Sequence, residues 1–160
     1  MQVFNRLSNV MGDASFAQPV ISGSGATRSL NETESGSLVL MDRAAGIVFT
    51  LPTAPKIGTF YDFVVTTSVT TNSYKVITGA GTELLIGGYT NVDTDTSNAV
   101  AVFTGNGSTH IAVTQAAASS NSTGGLIGSK LRFTCLSATR WMVEGIVQGA
   151  GTVETAFATS

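Results

Sequence analysis

The chain has 160 residues, enough for one domain that buries roughly two-thirds of its unfolded surface. Only 11% of its residues are charged, against about 25% in an average globular protein, and its net charge is −2. With 42% hydrophobic residues, that balance excludes a disordered chain and leaves no basic footprint for nucleic acid or an anionic membrane surface.

In chain order, the first signal is a stripe. Val3, Phe4, Leu7, Val10 and Met11 fall on one side of a short helix. So short a helix does not hold alone in water, so the stripe needs a partner surface. The following stretch, QPVISGSGATRSLNETESGS, is rich in Gly and Ser and reads as an extended, irregular arm. Residues 1–36 are therefore set apart as an arm and 37–160 as the folded domain. The N-terminus shows no secretory leader, and no run approaches the length of a membrane span.

From residue 37 the pattern becomes short runs of β-branched and aromatic residues between Gly, Asn, Ser and Pro. They are SLVLM (37–41), GIVFTL (46–51), TFYDFVVTT (59–67), YKVIT (74–78), ELLIG (83–87), AVAVF (99–103), HIAVT (110–114), KLRFTCL (130–136) and RWMVEGIV (140–147). The last two alternate cleanly and read as a hairpin. Pro52 and Pro55 punctuate LPTAP as a rigid corner, because proline is confined to strand ends and turns. Nine strands without a long helix predict an all-β, antiparallel β-sandwich, of jelly-roll type.

Chemistry is sparse along these strands. The single histidine, His110, has no sequence neighbours that spell a triad, and the single cysteine, Cys135, alternates with Leu131 and Phe133 as a small core residue. NVDTDTSN (91–98) resembles half a calcium loop but lacks the sixth-position glycine and the closing glutamate, so it reads as a polar turn. No phosphate-binding glycine loop is complete. No catalytic, cofactor or metal site is expected. Residues 96–129 carry no formal charge, and TQAAASSNSTGG (114–125) within them is small and polar throughout, so that loop is either disordered in solution or packed against another chain. A ligand-facing loop, if one exists, is GGYTNVDTDTSN (87–98), with Tyr89, Asn91, Asp93 and Asp95 as its sugar-binding groups.

Three pieces carry a resemblance. SLVLMDRAAGIVFTLPTAPKIGTFYDFVV, ITGAGTELLIGG and SATRWMVEGIV are similar to the strand, D-x-x-x-G turn, T-L-P corner and W-x-V-x-G hairpin of small β proteins on tailed-bacteriophage virions. The resemblance spans residues 37–147 and is greatest to capsid decoration (cement) proteins. It implies a non-enzymatic protein made in the host cytoplasm and seated on the outer capsid surface. It implies a homotrimer or dimer that clamps major capsid protein subunits, with no nucleic-acid or membrane partner. A receptor- or glycan-binding module of a tail fibre or spike is the alternative. A glycan hydrolase would need carboxylates converging in a groove.

Overall fold

The computed structural model describes residues 17–23, 25–95, 99–116 and 121–160. Among them are twelve strands: β1 (Val20–Ser22), β2 (Thr27–Ser29), β3 (Leu38–Met41), β4 (Ile47–Thr50), β5 (Phe60–Val65), β6 (Ser73–Ile77), β7 (Leu84–Asp93), β8 (Val100–Thr104), β9 (Ala112–Ala116), β10 (Lys130–Ser137), β11 (Arg140–Gly149) and β12 (Phe157–Ala158). All nine runs read from the sequence form strands. The alternation that marked them is real: in β10, Leu131, Phe133 and Cys135 are buried and their neighbours are not.

Two sheets form, ordered β1-β3-β5-β10-β11-β7-β8 and β12-β9-β6-β4-β2. They are mixed, which corrects the antiparallel expectation. From β1 to β6 the chain alternates between sheets, so each strand pairs with the strand two elements later, β1 with β3 with β5 and β2 with β4 with β6, always in parallel. Three two-sheet arches thus stack as a coil, which is not the antiparallel jelly roll expected for this stretch. Alternating side chains mark a strand but carry no information about direction. From β7 onward most pairs are antiparallel, with β10–β11 forming the expected hairpin, while β11 runs parallel to β7.

The expected arm is also corrected over residues 20–36. β1 and β2 are edge strands of the two sheets, and Ile21 and Leu30 are buried in the core. Single apolar residues in a Gly/Ser-rich stretch give too weak a pattern to announce three-residue strands. The stripe Val3, Phe4, Leu7, Val10 and Met11 lies outside the described residues.

The core sits between the sheets and is aromatic. Phe63 of β5 stands edge-on to Phe49 of β4 in the opposite sheet and to Phe133 of β10, with both ring centroids 5.4 Å away. Trp141 and Tyr61 pack beside each other at 6.3 Å. Each such ring contributes about 1.5–3 kcal/mol through burial. The proline corner is fastened by a residue that sequence reading passed over. The buried Glu83 carboxylate accepts bonds from the backbone N–H of Ala54 (3.1 Å) and Ala80 (2.8 Å), tying the corner to the turn after β6.

Candidate functional site

Paired residues across a sheet share a face, so the outward side of the seven-stranded sheet can be read row by row. One row runs Ser22, Leu40, Val64, Lys130, Ile146, Thr90, Val102, from β1 to β8. The adjacent row runs Val20, Leu38, Asp62, Arg132, Glu144, Gly88, Thr104. Where the two cross β5, β10 and β11 they line an open cleft of about 370 Å³.

Its floor is an ion pair. Asp62 is outward-facing yet buried, and Arg132 grips it with two bonds, Nε to Oδ1 at 2.8 Å and Nη2 to Oδ2 at 2.7 Å. Gln18 donates a third bond to Oδ2 at 2.9 Å. The guanidinium lies over the Phe60 ring, 4.8 Å from its centroid. The Arg132 bonds hold the Asp62 carboxyl below its ordinary range even though burial alone would raise it. A carboxylate so fixed has no proton to give at neutral pH, and three of its acceptor sites are already taken. It braces the sheet.

The exposed groups of the cleft are Lys130 and Glu144, on either side of Ile146, which is 54% exposed. Gly145 brings their strands together. Its φ is +149°, and a Cβ there would stand 2.1 Å from the Lys130 carbonyl oxygen. The arrangement can grip a protein surface by one aliphatic contact between two opposite charges.

The residues expected to face a ligand do something else. β7 runs unbroken to Asp93 because it pairs with β8 on one side and β11 on the other, so Tyr89, Asn91 and Asp93 alternate into the interior. The Tyr89 hydroxyl accepts the N–H of Ala156, and its ring packs on Phe157 at 5.3 Å. Asn91 Nδ2 donates to the carbonyls of Ser122 (2.8 Å) and Glu154 (3.2 Å). Asp93 Oδ1 accepts from Asp95 N at 3.0 Å, and the exposed Asp95 accepts from Gly151 N at 2.7 Å. The stretch clamps the C-terminal segment onto the sandwich, so the ligand-facing loop is corrected to an inward-facing strand ending in a turn. Only Leu85 and Tyr89 are apolar among the inward positions of this strand, and Gly87 between them is exposed, so the period-two signal is weak here.

The remaining candidates are also accounted for. His110 stacks on Phe157 at 5.3 Å, and its Nδ1 accepts from Asn106 N at 3.2 Å. Cys135 is buried, which pushes its thiol pKa up. Among the described residues no three His, Cys, Asp or Glu gather as metal ligands. The cleft itself was missed because nothing in the sequence reports that Asp62 and Arg132 share a register. Comparison with protein-family models, curated proteins and solved structures gives no match to this chain.

Proposed function

We propose that this chain is a non-catalytic structural protein of a tailed-phage particle, a decoration protein that seats on the outside of the assembled head and bridges major capsid subunits. The observation that carries the reading is the outward face of the larger sheet. Val20, Val100, Val102 and Ile146 lie on it and are all more than half exposed. Ile146 lines the cleft that presents Lys130 and Glu144, and the three valines lie on the two edge strands of the same sheet, β1 and β8. Exposed aliphatic side chains on a sheet face that also carries charged groups form an apolar surface rimmed by polar ones, and such surfaces mark interaction sites. On a lattice, many weak contacts of this kind add by multivalency. Each bound copy then raises the cost of opening the shell beneath it, by mass action.

The fibre-tip alternative is weakened, because three of the four residues offered for a glycan are inside the protein. The test is to add the purified chain to heads lacking it, pellet them, and heat them. Saturable co-sedimentation and DNA release at a higher temperature are expected. A chain that stays in the supernatant while binding on a glycan array would replace this reading with the fibre one.

A further inference from the structure

β8 is the last strand of the larger sheet and pairs only with β7. Asp93 N bonds Ala99 O at 2.8 Å and Gly105 N bonds Gly87 O at 2.9 Å, which fixes the phase of the ladder between them. By alternation Ala101 and Phe103 turn their main-chain groups to β7, and Val100, Val102 and Thr104 turn theirs to the open edge. Among the described residues nothing pairs with that edge.

Proteins guard such edges with charge, proline, bulges or shortness. The other three edges of the two sheets are guarded: β1 has three residues and follows Pro19, β2 has three with Arg28 bonded to Glu34, and β12 has two. β8 is five residues, V-A-V-F-T, uncharged and in unbroken register with β7. Val100 and Val102 on it are 64% and 70% exposed.

The strand also complements itself. In an antiparallel pair about a two-fold axis at Val102, Val100 meets the second copy's Thr104, a residue of nearly the same shape. Ala101 meets the bulky Phe103, and Val102 meets its own equivalent. No like charges oppose one another anywhere in the pair. We infer that β8 is the self-association edge of this protein: two copies pair β8 to β8 and merge their larger sheets into one. The assembly is then a two-fold dimer, not the trimer the phage resemblance also allows. The inference does not rest on the particle reading, since it concerns the free protein.

The test is mass in solution by light scattering, on the wild-type chain and two variants, with far-ultraviolet circular dichroism to show that the variants fold. Wild type is expected at twice 16.4 kDa. Val102→Lys and Val102→Glu each place like charges face to face across the axis, and each is expected to run as a monomer with an unchanged spectrum. An equimolar mixture of the two sets Lys opposite Glu and is expected to recover the dimer. A monomeric or trimeric wild type would overturn the inference, as would a V102K protein that stays dimeric. A mixture that stays monomeric would overturn the register.

Discussion

Residues 20–77 and residues 84–149 build the same two layers by opposite routes. In the first stretch every strand crosses to the other sheet before the chain returns, and like-numbered sheet neighbours run parallel. In the second, hairpin pairing dominates, with β7–β8 and β10–β11 adjacent in both sequence and space, and one long-range parallel pair, β7 with β11, closes the layer. Both stretches are written in the same alternating code. What separates them is the connections. Arches that carry the chain between sheets produce parallel stacking, and tight turns that keep it in one sheet produce antiparallel pairing.

The largest expected effect comes from cutting the tie between these halves. Phe63 belongs to the coil but touches Phe49 in the coil and Phe133 in the hairpin. Phe63→Ala is expected to cost about 3–5 kcal/mol in urea unfolding. If the halves share one core, circular dichroism and Trp141 fluorescence will trace a single transition in the variant. Two separated transitions would break the picture of one cooperative unit.

Next come two glycines, one in each half. Gly46 opens β4 at φ +78°, where a Cβ would stand 2.3 Å from the Ser73 carbonyl oxygen of the next arch. Gly145 holds the β10–β11 seam in a comparable way. Alanine at either site is expected to cost about 2–3 kcal/mol, from backbone strain together with the clash. Hydrogen exchange distinguishes them. Gly46→Ala should lower protection mainly in β4 and β6, and Gly145→Ala mainly in β10 and β11. The same pattern of loss from both would mean that the halves do not differ in how they open.

The contrast explains what was legible in the sequence. All nine long strands and the last hairpin could be read, because apolar residues at period two and turn residues between them are local signals. Strand direction could not, since Leu38 pairing in parallel with Asp62, or Thr27 with Val48, leaves no mark on either strand. The site was less legible still. Tyr89 and Asn91 look like ligand groups until β7 is known to have neighbours on both sides, and Asp62 looks like any strand-borne acid until Arg132 is found across from it.

That ion pair gives a smaller effect with a pH signature. Asp62→Asn leaves Arg132 half-exposed and not sealed in the core, so the expected cost is about 1–2 kcal/mol, below that of breaking a fully buried pair. Because the folded carboxyl titrates below its ordinary value of about 4, its stabilisation is complete above that pH. It is lost as pH falls through the folded value. The gap between wild type and variant should therefore be constant near neutrality and close in acid. At the alkaline end the sign reverses. Burial pushes the Tyr61 and Tyr74 hydroxyls up to about 12, so the stabilisation they give is intact below pH 10 and lost between about 10 and 12. Absorbance at about 295 nm should show little tyrosinate at pH 10 in the native protein, where free tyrosine is half ionised. Early ionisation would mean the rings are less enclosed than the sandwich requires.

The smallest effect on stability is expected on the outward face, and there the comparison turns from folding to function. Ile146 sits in β11 of the hairpin half, opposite Lys130, with its side chain in solvent. Ile146→Asp should change the unfolding free energy by less than about 0.5 kcal/mol, because no core contact is lost. It should nevertheless weaken co-sedimentation with heads at least tenfold if this face is the docking surface, since a carboxylate there must be desolvated beside Glu144. Charge reversal at Lys130 is the partner experiment. A loss of head binding from both variants, with unfolding curves unchanged, would separate the faces of one sheet into a folding side and a binding side. Full binding by Ile146→Asp would move the docking surface elsewhere on the protein.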